Sequence, residues 1–173
     1  LLDRRALAEM SRLCLEHGVK LLAYGTVAGG FLSERWLGQE EPSLSGIHDW
    51  SKMKYKRFID QTGGWAKFQQ ILKVLDAIAR KKEVSITNVA TRWVLDQPVV
   101  GAVIIGARLT ESEHRADNEN LFSFTLDQDD HQAIDQVIND TPKIRGDCGS
   151  EYRQPPYLTA AGDLSDHLEE NKR

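Results

Sequence analysis

The chain of 173 residues has two cysteines, Cys14 and Cys148, no excess of basic charge, and no apolar run approaching a membrane span. Each shortage removes a class of function. Cys14 sits among apolar helical neighbours and neither cysteine has another nearby. That argues against a disulfide framework or a cysteine metal cluster and favours a reducing compartment, the cytoplasm. A formal net charge of −4 leaves nothing for a nucleic-acid backbone to hold. A helix needs about 20 consecutive apolar residues to span a bilayer, so no membrane partner is expected. The chain opens Leu1-Leu2-Asp3-Arg4-Arg5 without methionine, so a missing leader carries no weight.

What is present is the composition of a folded domain: 40% hydrophobic and 28% charged residues, in a length that can bury a real core. Leu7, Met10, Leu13 and Cys14 recur at helical spacing between Arg4 and His17, and Gly18 supplies a stop. "VKLLAYG", Val19 to Gly25, reads as a short buried strand. Gly25, Gly29 and Gly30 punctuate a loop, and Ser33 to Gly64 reads as irregular, a length of loop that is uncommon unless functional or partly helical.

Trp65 to Lys82 carries one apolar stripe of Phe68, Ile71, Leu72, Leu75, Ile78 and Ala79. Ser85 caps the next predicted helix, with Val89, Ala90, Trp93 and Val94 inward and Pro98 beyond its end. Val99 to Ile105 reads as a second fully apolar strand. Thr110 with Glu113 has capping-box spacing and predicts a helix from Glu111. Asp127 with Asp130 opens another, carrying Ile134, Val137 and Ile138, and beyond Pro142 the pattern fades into turns and a charged tail. Strands alternating with helices predict an α/β fold with parallel strands and helical crossovers. Two strands are too few for such a sheet, so both edges need cover from other chains or from more of the same protein.

Three segments then resemble one family. "LLAYGTVAGGFL" resembles the seventh strand and following loop of the aldo-keto reductases, "SITNVATRWVLDQPVVGAVIIGAR" their seventh helix and eighth strand, and "RLTESEHRADNENLFSFTL" their cofactor segment. Arg108 and Asn118 keep that segment's ten-residue spacing from basic residue to asparagine. The resemblance covers most of Leu1 to Ile138. It implies the C-terminal part of an eight-stranded (β/α) TIM-type barrel over residues 1–141, with a C-terminal loop and tail over 142–173.

The activity implied is reduction of aldehyde or ketone carbonyls with NADPH, or less often NADH. The family's catalytic Tyr, Lys, Asp and His come from the first half of its barrel. By that alignment they are expected to be absent here, so no catalytic residue is nominated. The cofactor half is expected to be inactive alone, and covered by the missing half or by another protein. A non-catalytic interaction or regulatory subunit that keeps this half-barrel is the alternative.

Loops after strands seven and eight of such barrels often hold phosphate, aided by unpaired N–H groups at helix N-termini. Gly25, Thr26, Val27, Ala28 and Gly29 follow the first strand, and Gly106, Ala107, Arg108 and Thr110 follow the second. Arg108 can fork onto a ribose 2′-phosphate. By resemblance, Tyr24 stacks on the nicotinamide, and Asp117 and Asn118 bond the adenine. Arg115 lies one place beyond the family's second basic position, which His114 occupies. Gly25-Thr26-Val27 replaces the family's Ser-x-Leu, and Leu109 replaces a hydroxyl residue.

Plainer readings stand beside these. The glycines can simply make a turn, Arg108 can be a surface arginine, Tyr24 a core-edge aromatic and Asp117 decoration of a helix face. Lys52, Lys54, Lys56 and Arg57 read as a solvated cluster, with an anion-binding role as the alternative. His48 and Asp49 are adjacent in sequence, which is poor geometry for a metal. Tyr152, Pro155, Pro156 and Tyr157 either line a substrate pocket or pack against the barrel. With two apolar sheet edges, the isolated chain is expected to be oligomeric, partly molten or partner-bound.

Overall fold

A computed structural model describes residues 1–43, 47, 50–106 and 114–150 of the chain. Among them are six α-helices, α1 (Glu9–Glu16), α2 (Trp50–Gln61), α3 (Gly64–Lys82), α4 (Ile86–Leu95), α5 (Arg115–Glu119) and α6 (Gln128–Asn139). The strands β1 (Leu21–Tyr24) and β2 (Val100–Ile104) pair in parallel, with Tyr24 opposite Ile104 and a register shift between Leu21 and Leu22. Parallel neighbours require a long crossover, and α2, α3 and α4 supply it.

The core is helical. On α3, Trp65, Phe68, Ile71, Leu72, Leu75, Ile78 and Ala79 are buried, as their 3.6-residue period predicts. They pack with Ile86, Val89, Ala90 and Trp93 of α4 and with Ile134 and Ile138 of α6. Burying side chains of this size contributes about 1.5–3 kcal/mol each before entropy is counted. Ser85 caps α4 by accepting from the Asn88 backbone N–H at 3.1 Å. Asp127 and Asp130 form the expected capping box at the start of α6.

The strands depart from expectation. They are not buried on both faces: Leu22 is 62%, Tyr24 62% and Ile104 55% exposed. Burial along β1 alternates, because helices cover one face of the pair and no described residues close the other. The predicted first helix also differs. It breaks into a 3-10 turn, Arg5–Leu7, and α1, and its apolar residues Leu7, Met10 and Leu13 stay exposed. Helical spacing records an apolar face without recording what covers it.

The stretch expected to be irregular contains a 3-10 turn, Glu34–Trp36, and the whole of α2. Its basic residues are not all solvated, since Lys54 and Lys56 are buried. Lys56 Nζ pairs with Glu41 at 2.7 Å and Asp60 at 2.5 Å. Burial works against its charge, but the bonds from Asp60 and Glu41 outweigh it and hold its pKa above the ordinary lysine value. Phe31, Trp36, Trp65 and Phe68 stack into one aromatic group, with centroids 4.9 Å apart for Phe31 and Trp36 and 5.2 Å for Trp65 and Phe68. That group ties the segment after β1 to α3. Arg4 reaches the end of α6, donating to the Ile138 carbonyl at 2.5 Å and to Thr141 Oγ1 at 3.0 Å.

A four-charge clamp joins the end of α3 to the start of α6. Lys81 and Lys82 each reach Asp127 and Asp130, at 2.9–3.0 Å. Bonds from Lys81, from the Asp130 backbone and from Lys82 hold the Asp127 carboxyl well below its ordinary range. At Asp130 burial opposes ionisation, and the bonds from Lys81, the Asp127 backbone and Lys82 overcome it. Carboxylates depressed on folding add stability that is complete above their unfolded pKa, about 3.9, and is lost as pH falls below it. The urea midpoint of the wild type should therefore fall between pH 5 and pH 2.5, and more steeply than that of a Lys81→Met, Lys82→Met double variant. Parallel pH profiles for the two proteins would rule the clamp out as the cause.

Candidate functional site

Because β1 and β2 are parallel, the turn after Tyr24 and the segment opening at Gly106 leave the sheet from the same end. The turn after β1 has an unusual backbone. Gly25, Ala28, Gly29 and Gly30 all have positive φ, at 66°, 51°, 63° and 90°. Alanine rarely adopts this conformation, so Ala28 is held there by its surroundings. Hydrogen bonds close the turn: Ala28 N donates to Gly25 O at 3.0 Å, and Gly30 N and Leu32 N donate to Val27 O at 3.0 and 3.1 Å. Thr26 is buried, its hydroxyl 3.3 Å from that of Thr91 on α4.

Helix α2 lies against this turn. A β-carbon on Gly25 would overlap the Tyr55 hydroxyl, and one on Gly29 would come within 2.9 Å of Tyr55 Cδ2 and 3.2 Å of Ser51 Oγ. The close approach that these glycines permit is made here by α2. Lys54 Nζ lies 5.5 Å from the Tyr24 ring centroid, 5.4 Å from that of Tyr55 and 5.9 Å from that of Phe58, within cation–π range of all three. Tyr24 thus keeps an exposed ring at the sheet end with a buried ammonium near it. Gly106 differs from Gly25, since among the described residues nothing lies within 4 Å of the place its β-carbon would take.

On the β2 side, Ala107, Arg108, Leu109, Thr110, Glu111 and Glu113 lie outside the described residues, as do the pocket candidates Tyr152, Pro155, Pro156 and Tyr157 and the pair His48 and Asp49. Asp117 and Asn118 lie on α5 and are half-buried, while Arg115 and His114 are exposed. Asn118 N donates to the His114 carbonyl at 2.8 Å. The Asp117 carboxylate accepts from Ser85 Oγ at 3.1 Å and from Asn88 Nδ2 at 3.0 Å. Ser85 and Asn88 were legible as a cap and a helix residue, and their link to Asp117 was not.

Glu34 Oε1 accepts from the backbone N–H of Ile86, and Thr87 Oγ1 donates to the Leu32 carbonyl at 3.0 Å. The first turn of α4 therefore fastens the segment after β1 and the helix after β2 together. A cavity of about 340 Å³ opens beside β1, walled by Leu2, Leu7, Met10, Phe58 and Val99, with Lys54 and Tyr55 among its lining groups.

The aldo/keto reductase family model matches residues 1–139. The chain belongs to the aldo/keto reductase family. Over 86 residues it is 37% identical to flagellar radial spoke protein 5 of Chlamydomonas reinhardtii, spanning 49% of this chain and 16% of that protein. It is 26% identical over 90 residues to an aldo-keto reductase of Babesia bovis, spanning 52% of this chain and 30% of that one. A solved glycerol dehydrogenase of Gluconobacter oxydans shares the fold at TM-score 0.60 and 22% identity, over 84% of this chain and 42% of its own. The chain therefore spans less than half the length of each of these relatives. Its α/β architecture, with parallel strands and helical crossovers, matches part of the family's barrel. Among the described residues, no helix is long and apolar enough to cross a membrane.

The packing of α2 makes a specific demand. Gly25→Ala adds a methyl into the Tyr55 hydroxyl at a φ of 66°, where an L side chain is already strained by about 1–2 kcal/mol. It should destabilise the protein by more than that strain alone. Tyr55→Leu in the same chain should recover part of the loss and leave the backbone share, as a double-mutant cycle in urea will show. Strict additivity would mean that Tyr55 does not rest on this turn.

Proposed function

We propose that this chain is the C-terminal, cofactor-binding part of an NAD(P)H-dependent oxidoreductase that reduces aldehyde or ketone carbonyls. The observation that carries the reading is the shared sheet end. Tyr24 with its exposed ring, the β1 turn, Gly106 with no described residue against the place of a β-carbon, and the half-buried Asp117 and Asn118 all belong to segments leaving that end. The residues present suit a dinucleotide lying across it. Bound there, the cofactor supplies a hydride to the carbonyl carbon.

This chain's residues hold and orient. Tyr24 offers a flat ring for stacking, and the β1 turn and Gly106 offer backbone at close range. Arg108 and Thr110 follow Gly106 in the segment that would take the phosphate of the adenosine end, and Arg108 favours NADP over NAD. Arg115, Asp117 and Asn118 would face the adenosine itself. Thr26 and Val27 serve from inside the turn, Thr26 through its contact with Thr91. Gly25 and Gly29 shape that turn and seat α2. The proton donor and its partners would come from the other part of the barrel, as the family pattern implies, and residues 142–173 would form its C-terminal loop and tail. A cytoplasmic setting suits two cysteines that form no disulfide among the described residues.

A second reading has its own support. The relative at 37% identity is named as a protein of the flagellar radial spoke, and α1 presents an exposed apolar row. In that reading the barrel is an interaction subunit that docks and does not turn over substrate.

Titration of the intact protein with NADPH, followed by nucleotide fluorescence, separates the two. Saturable binding, weakened about five- to tenfold by Tyr24→Ala through lost stacking, together with NADPH oxidation on adding an aldehyde, is expected for the reductase. Binding without turnover would favour a regulatory barrel, and no binding at all would leave the interaction subunit.

A further inference from the structure

The bonds around Asp117 extend the proposed cofactor role, on which this inference rests. Asn88, in the first turn of α4, is 2% exposed, and its amide Nδ2 donates to Asp117 Oδ1 at 3.0 Å. Its backbone N–H donates to Ser85 Oγ at 3.1 Å, which spends a lone pair of that hydroxyl and turns its proton outward. The same hydroxyl donates to Asp117 Oδ2 at 3.1 Å. Each carboxylate oxygen is thus held by one donor from α4, fixing the plane of the group. A carboxylate oxygen can accept more than one bond, so each keeps acceptor capacity, and Asp117 is only half-buried. The group is held in one orientation before any ligand arrives.

We propose that Asn88 and Ser85 are positioning residues, which orient the Asp117 carboxylate as an acceptor for the exocyclic amine of an adenine ring. They thereby set a preference for amine-bearing over carbonyl-bearing purine dinucleotides. The chemistry is a matter of matching: a fixed carboxylate can only accept, so it favours an amine at that place and repels a carbonyl oxygen. A carboxylate free to rotate discriminates less, because it can turn away from the wrong group. Asn88 also joins the two halves of the site. The α4 turn that carries it is bonded to Leu32 and Glu34 on the β1 side.

The test uses the intact protein and two probes, NADPH and its deamino analogue, in which a carbonyl replaces the adenine amine. The wild type should bind NADPH at least tenfold more tightly than the analogue. Asn88→Leu, of similar shape and without donors, should bring that ratio down by about tenfold. Ser85→Ala should lower it in the same direction, while Ser85→Thr, which keeps the hydroxyl and the helix cap, should preserve it. A merely structural role would weaken both nucleotides equally and leave the ratio intact.

A wild-type protein that binds NADPH with no preference for the amine would overturn this inference alone. So would Asn88→Leu or Ser85→Ala variants that bind with an undiminished ratio. If Asn88→Leu does not fold, the Ser85 pair decides the same question. A wild-type protein that binds neither nucleotide would overturn the cofactor reading, and this inference with it.

Discussion

The parallel pairing of β1 with β2 is the constraint on which the other features depend. An antiparallel partner would have sent the segments after Tyr24 and Ile104 to opposite ends of the sheet. Parallel pairing sends both to one end, and the crossover it requires brings the start of α4 back to that end as well. The ridge of α3 exists to make that return possible. Its seven buried side chains set the distance at which α4 and α6 can pack, and so where the Ser85 cap lies relative to α5. Three sequence-distant segments are then joined by bonds from Ser85 and the first turn of α4 to Leu32, Glu34 and Asp117.

The helices carry the closed core, while the strands present an open face. Leu22, Tyr24 and Ile104 lie on it, beside the exposed Leu7 of the first 3-10 turn and the exposed Met10 and Leu13 of α1. Apolar surface left in water contributes nothing to folding, so the stability of the described residues comes from the buried cluster of α3, α4 and α6, the aromatic group around Phe31, and Phe58 and Ile59 of α2. Rigidity is distributed in the same way. Each site residue that α4 touches, namely Thr26, Glu34 and Asp117, is braced by a core helix, whereas the ring of Tyr24 rests on the contact with Lys54 from α2.

What the sequence could convey follows from what each pattern physically records. The six-residue apolar stripe of α3, the Ser85 cap and the Asp127–Asp130 box are local, so period and spacing reveal them. The family segments were legible for the same reason, being continuous runs. The burial of Lys54 and Lys56 was not, since a lysine on paper looks solvated until Glu41, Asp60 or an aromatic face is brought to it by folding. Helix α2 was obscured by its many charges. The strands misled in the opposite sense: an apolar run looks the same whether one face or both are covered. Asp117 could be matched to a motif, but its donors lie 32 and 29 residues earlier, and no spacing rule joins a helix cap to a later helix.

The turn after β1 shows why a glycine pattern alone does not identify a ligand. Glycine reports that a β-carbon has no room or that φ is positive, and both conditions hold at Gly25 and Gly29. What fills the room is Tyr55 and Ser51, so these glycines would be needed even if no phosphate ever approached. That does not weaken a binding role for the turn; it explains how one becomes affordable in entropy. The turn is fixed by α2 on one side, by Thr26 against Thr91 on the other, and by its own backbone bonds through the strained Ala28. A ligand meeting a segment already ordered in this way has little conformational freedom to remove, and more of its contact energy remains as affinity.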